Sequence, residues 1–196
     1  MTVSNLDVSR GEHEALIKYQ LLLLKWNKTI NLISKTSEKD IWQRHIADSL
    51  QLLKYINSLD NTSIIDIGSG AGFPGIILSI VGVRNVTLVE CDIRKTVFLR
   101  QAAKLSFNKI NIIEARVDKS FTGTYDILTC RGFSNLANIL KLTSGIKVDK
   151  MLLLKGQSYS EEIIEAQKHW LFNIELHDSI TGNGKIIEIS DIRKLS

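Results

Sequence analysis

The rhythm of apolar and polar positions changes once along this chain, near residue 61. Before it, apolar residues recur at three and four, the period of a helix that buries one face. Leu16, Ile17, Leu21 and Leu24 mark a first helix, in which the run 21–24 faces two neighbours. Ser9 and Glu12 are spaced as a capping box ahead of it. Ser37 with Asp40 offers a second cap, after which Ile41, Trp42, His45, Ser49, Leu52, Leu53 and Ile56 carry the same period. Beyond 61, short apolar runs alternate with helical patches. Strands are expected over 64–67, 85–90, 110–115, 125–130 and 149–155, and helices over 74–81, 93–106, 135–143 and 160–170. Segments 172–180 and 184–190 read as a closing antiparallel pair around Thr181–Gly184. Strand–helix alternation predicts a doubly wound, mostly parallel sheet covered on both faces. The expected organisation is a helical arm over 1–60 packed on one α/β domain over 61–196.

A length of 196 residues fits this plan, and 44% hydrophobic residues supply a sizeable core. No apolar run approaches the ~20 residues that a membrane span needs. The polar start, without a basic and then apolar stretch, is unlike a secretory signal, so a cytoplasmic protein is expected. Cys91 and Cys130 form no zinc pattern and no CxxC, and read as small, half-buried thiols. Net charge is +4. Charge matters more by where it falls. Between Leu16 and Lys54 there are seven Lys/Arg against three Asp/Glu, with Trp26 and Trp42 among them. Such a segment is either a nucleic-acid surface or a solvated helix pair with its tryptophans in the core.

Asp66–Gly75, "DIGSGAGFPG", holds four glycines and the single proline, directly after an apolar run. Doubly wound sheets bind ligands at the carboxyl ends of their strands. Glycines let a ligand approach the backbone there, and the helix start offers free N–H groups. Phe73 stands where a dinucleotide fingerprint needs a small residue, which disfavours an NAD-binding oxidoreductase. The glycine loop contains no lysine followed by Ser/Thr, which excludes a P-loop there. Gly68, Gly70 and Gly72 after the acidic Asp66 look like the cofactor loop of class I S-adenosylmethionine (SAM) methyltransferases. Glu90 ends the next strand, 20 residues after Gly70, where a carboxylate takes both ribose hydroxyls. Asp92 reads as a helix cap. Asp118, after the third strand, is either an adenine acceptor or a solvated loop acid.

The reaction narrows by chemistry. Methylation at a pyrimidine carbon needs a cysteine nucleophile, but no proline precedes Cys130 and Arg131 follows it. The loop "CRGFSN" also lacks the (N/D)PPY of exocyclic-amine methyltransferases. A substrate atom that is already nucleophilic remains, and guanine N7 fits, needing positioning and charge management more than a base.

"WNKTINLIS", "RHIADSL", "DIGSGAGFPGIILSI", "VECDIRKTVFLRQ", "ARVD", "LTCRGFSNL" and "LLLKG" occur in order. Together they resemble the bacterial 16S ribosomal RNA (guanine-N7) methyltransferase G family, historically glucose-inhibited division protein B, over roughly Leu21 to Gly156. The resemblance implies a class I, Rossmann-like seven-stranded fold with an N-terminal helical extension. It also implies methyl transfer from SAM to one small-subunit rRNA guanine, on naked RNA or on the ribosomal subunit. Gly68, Phe73 and the pair Val117–Asp118 would contact the cofactor, with Glu90 on the ribose; Asp66, Gly70 and Gly72 complete the cofactor loop. Arg131 would contact the cofactor or bridge it to RNA. Arg116, His45 and Asn31 join Arg131 as candidate catalytic residues. Asn27, Asp48, Ser49 and Lys155 match family positions without a derived role. Several of these keep plainer readings. His45 and Asp48 can be hydrogen-bonded helix neighbours. Asn27 and Asn31 can simply end the first helix. Lys155 could hold an RNA phosphate. No metal is expected, and the sequence does not give an oligomeric state. An RNA-binding assembly protein that keeps SAM only structurally is the reading from another class.

Overall fold

A computed structural model of the chain describes residues 8–182 and 184–195. The start of the expected arm, 1–7, and Asn183 of the expected turn lie outside the described residues. Seven strands form one sheet: β1 Ser63–Ile67, β2 Asn85–Glu90, β3 Asn111–Glu114, β4 Gly123–Arg131, β5 Ile146–Lys155, β6 Trp170–Asp178 and β7 Lys185–Lys194. Their order is β3-β2-β1-β4-β5-β7-β6, and β7 alone runs against its neighbours. Helices α3 (Gly75–Ile80), α4 (Ile93–Ala102), α5 (Leu136–Leu142) and α6 (Tyr159–Gln167) connect them. The mostly parallel, doubly wound sheet is the one that the strand–helix alternation predicts.

β1 is central, and its residues serve both faces. Ile64 joins a core with α3, α4 and the N-terminal helices, whereas Ile65 and Ile67 join a second core with α5 and α6. Full burial of such a side chain stabilises the fold by roughly 1.5–3 kcal/mol. Helix α1 (Arg10–Asn27) starts with the expected capping box between Ser9 and Glu12. Its buried face differs from the expected one. Leu16, Tyr19, Leu23 and Asn27 are buried while Ile17 and Leu21 are exposed. The leucine run is continuous, so it fits several faces, and packing against Phe98 and Phe73 selects the Tyr19 face.

The segment 38–55 also departs from a regular helix. It runs as a 3-10 turn Glu38–Asp40, a widened π turn Trp42–Ala47, one α turn α2 (Asp48–Leu50) and a 3-10 stretch Gln51–Tyr55. Ser37 makes no side-chain cap; its hydroxyl donates to the Ser34 carbonyl instead. Ser49 Oγ donates to the His45 carbonyl across the widened turn. Trp26 packs edge-on against Phe98 and Trp42 lies beside His13, so both tryptophans contribute to the N-terminal packing. The seven basic residues of this region, from Lys18 to Lys54, are exposed.

Candidate active site

The carboxyl ends of β1, β2 and β4 open on a crevice of about 670 Å³, whose wall includes Gly68, Gly70, Phe73, Glu90, Val117 and Arg131. Its floor is the glycine loop, and the loop is held by the two acids read from sequence. Glu90 Oε2 accepts from the Gly70 N–H at 2.9 Å, while Oε1 accepts from the Cys91 and Asp92 amides at 2.8 and 2.9 Å. The carboxylate is thereby fixed at the end of β2, on the crevice wall. Asp92 caps α4, as expected, by accepting from the Arg94 and Lys95 amides.

Asp66 does not reach the crevice. It is fully buried beneath the loop, with Oδ2 accepting from the Gly75 N–H at 3.2 Å and Oδ1 from Thr129 Oγ1 at 3.3 Å. Burial pushes its pKa up to about 7. The expected cofactor contact is therefore corrected to support of the loop from below. Gly72 is corrected likewise. It adopts φ 88°, and a Cβ there would lie 2.4 Å from Ile76 Cγ1, so packing rather than a ligand requires glycine. Gly70, with φ 55°, meets nothing closer than 3.8 Å and leaves its side of the loop open.

Phe73 anchors an aromatic cluster that spacing alone did not show. His45 stacks on it at 4.9 Å and 17°, Tyr19 meets it edge-on at 5.5 Å, and the Arg131 guanidinium lies 5.6 Å from its centroid. Tyr19 also donates its hydroxyl to the Ala71 carbonyl, which ties α1 to the loop. His45 and Asp48 are not hydrogen-bonded neighbours. Asp48 Oδ2 instead pairs with Arg131 Nε at 3.1 Å, and Oδ1 accepts from Gln51 and Thr181 at 2.8 and 2.7 Å. Arg131 completes the junction by donating to the Arg44 carbonyl at 2.7 Å. Burial, and then the nearby Arg131 and Arg44, lower the His45 pKa to about 3, so the ring is neutral.

Asn27 ends α1 and shapes the following loop. Its Oδ1 accepts from the Leu32 and Ile33 amides, and its Nδ2 donates to Ile33 O and Glu38 Oε1. Leu32 and Ile33 line the crevice, whereas Asn31 is exposed and does not, which corrects its placement among the catalytic candidates. Arg116 is exposed at the crevice edge, beside buried Val117 and exposed Asp118. Asp118 Oδ1 accepts from the amide and hydroxyl of Ser120. Lys155 is not free to hold an RNA phosphate, contrary to the reading from sequence. Its Nζ pairs with Glu162 Oε2 at 2.7 Å and donates to the Ser134 carbonyl, with 8% side-chain exposure. Cys130 is buried and its thiol is pushed up to about 12, which agrees with its elimination as a nucleophile. Phe133 was missed: its ring covers Gly68, where a Cβ would lie 2.3 Å from Cδ2. Phe133 lies inside the family motif 128–136 without standing out in it, and Tyr19 could have been found from its i+3 spacing to Leu16.

Comparison with known proteins adds a family to this geometry. The family model described as rRNA small subunit methyltransferase G matches residues 12–188. A curated protein named ribosomal RNA small subunit methyltransferase G, from Rickettsia prowazekii, is 53% identical over 184 residues, covering 93% of this chain and 95% of its own. Its namesake in Rickettsia bellii is 52% identical over 192 residues, covering 97% and 99%. Among solved structures, a magnesium protoporphyrin IX methyltransferase from Synechocystis with bound SAM superposes with a TM-score of 0.60 at 14% identity, covering 88% of this chain and 96% of that one. That likeness is one of fold.

Proposed function

The chain belongs to the rRNA small subunit methyltransferase G family, and from that membership together with the crevice we infer that it is a SAM-dependent methyltransferase of 16S rRNA whose target atom is guanine N7. The observation that carries this reading is the pairing of an open glycine turn with a carboxylate one strand away: Glu90 is bonded to the Gly70 N–H, and both line the same crevice.

The residues fit the proposed cofactor. The space suits a nucleoside bearing an amino acid, and Gly70 leaves the backbone open to it. Glu90 would hold a ribose hydroxyl through the Oε2 lone pair that its three backbone donors leave free. Val117 and Asp118 would meet the adenine, through packing and through the Asp118 oxygen that Ser120 leaves free. When bound, SAM supplies an electrophilic methyl group on a sulfonium. The protein then has to align the guanine in line with that methyl and exclude water. N7 attacks with its own lone pair and loses no proton, so no general base is required. That agrees with a neutral, buried His45 and an inert Cys130. Arg131 stands between the crevice and a second, smaller pocket that Arg44, Gly156 and Lys185 also line. It would bridge the cofactor side to the RNA side. Arg116 at the crevice edge, together with the exposed lysines of the arm over 1–60, would meet RNA phosphates. Among the described residues, no helix is long and apolar enough to cross a membrane; we place the protein in the cytoplasm with its substrate.

The test is transfer of labelled methyl from SAM to small subunits taken from cells lacking this protein, followed by borohydride reduction and aniline cleavage, which cut RNA at N7-methylguanine. A single new cut in 16S rRNA is expected. Labelling without a cut moves the target to another atom, and RNA binding without labelling favours the assembly-protein reading.

A further inference from the structure

His45 carries the least satisfied polar group of the described residues. It is 9% exposed, and neither Nδ1 nor Nε2 has a hydrogen-bond partner. A buried donor and acceptor left unpaired are costly, and native structures normally explain such atoms by a ligand or an ordered water. The ring lines the main crevice and is held flat on Phe73. It is carried on the widened π turn Trp42–Ala47, a local geometry frequent at functional sites.

We propose that His45 holds the amino-acid end of the methyl donor, its imidazole N–H donating to the α-carboxylate. The proposal rests on the SAM reading above. The sheet order supplies the argument. Along β3-β2-β1-β4, the adenine site at Val117–Asp118 follows β3, the ribose site at Glu90 ends β2, and the glycine loop follows β1. A nucleoside laid across those three ends reaches the end of β4 with its amino-acid portion. Arg131 ends β4, and both Arg131 and His45 flank the Phe73 ring there. Because the imidazole is neutral, it meets a zwitterion without adding another cation beside Arg131 and Arg44. His45 lines this crevice and is absent from the wall of the second pocket, so it faces the cofactor rather than the RNA.

Calorimetry on the full chain separates the possibilities, using S-adenosylhomocysteine and 5′-methylthioadenosine, which lacks the amino-acid end. His45→Phe keeps a flat ring against Phe73 and removes both nitrogens. It should weaken S-adenosylhomocysteine binding about tenfold, the scale of one hydrogen bond to a charged group, and leave methylthioadenosine affinity unchanged. Equal losses on both ligands would make His45 a packing residue and overturn the proposal, as would an unchanged S-adenosylhomocysteine affinity. If wild-type protein binds neither nucleoside, the SAM reading itself fails. Should His45→Phe not fold, His45→Leu is read on the same two ligands with the same outcomes.

Discussion

Arg131 Nε lies 3.1 Å from Asp48 Oδ2, and this contact joins the end of β4 to the N-terminal helical segment. Both side chains are mostly covered, at 22% and 14% exposure. Asp48→Ala should therefore leave a poorly solvated guanidinium without its counter-charge and cost roughly 2–3 kcal/mol of stability. It should also slow methyl transfer, because Arg131 is released from the crevice wall. Urea unfolding and single-turnover kinetics check both. Full stability together with full rate would detach Asp48 from the site.

Glu90 fixes the glycine loop and faces the proposed ribose position. Glu90→Ala should weaken SAM binding by about 1–3 kcal/mol, the range for a lost buried or charged hydrogen bond. Equilibrium titration measures it, and an unchanged affinity would remove Glu90 from the ribose role.

The loop glycines should separate by mechanism. Gly72→Ala drives a Cβ to 2.4 Å from Ile76 in a positive-φ residue, so a marked fall in melting temperature is expected. Gly70→Ala meets no close atom and should cost only the left-handed penalty of roughly 1–2 kcal/mol while still impairing cofactor binding. The two variants need only thermal melts and a binding titration. Equal melts would mean that the loop yields at Gly72.

Asp66 gives stability a pH dependence. An unfolded Asp titrates near ~3.9, and burial raises the folded group to about 7. The folded chain therefore holds this proton more tightly between those values. The stabilisation is full below about 4 and is lost as pH rises to about 7, at a slope of at most about 1.4 kcal/mol per unit. Denaturation midpoints of the wild type should drift down across that window, and Asp66→Asn should flatten the drift. A variant that keeps the wild-type slope would assign it to another group.

Basic residues should divide into those that bind RNA and those that hold the fold. Lys155→Ala strands Glu162 and should cost roughly 3 kcal/mol of stability without altering the salt dependence of RNA binding. Lys28→Ala and Lys35→Ala, both at exposed positions, should each reduce the salt slope by about 1 and leave stability alone. Filter binding across a salt series reads the slope, and a slope insensitive to all three would put the RNA on another face.

The sheet and the loop were legible because their signals are local. Strand 85–90 coincides with its expected bounds, since a buried parallel strand is a short apolar run between breakers. Other ends moved: β5 starts at Ile146, where alternation with Lys147 and Lys150 hides pairing with β4. Positions 41, 45, 49, 52 and 56 fit an α period, and nothing in that period marks a π turn between 3-10 turns. Asp48, Lys155 and Asp66 show the limit at the site. Each has a chemistry obvious from its side chain, but its partner lies at Arg131, Glu162 or Thr129. A choice among partners on other elements is made by the tertiary arrangement, and with it whether a charge faces a ligand or the protein interior.

The sheet order β5-β7-β6 has a consequence for the order of synthesis. Among the described residues β6 pairs with β7 and with no other strand, and β7 fills the place beside β5. A nascent chain that has emerged only through β6 therefore lacks that strand's native partner, and β5 presents an open ladder to whatever is near. Closure waits for the β7 segment, which wedges in between as one antiparallel ribbon with β6. The half of the sheet that carries the glycine loop can assemble while the ribosome is still adding this last hairpin.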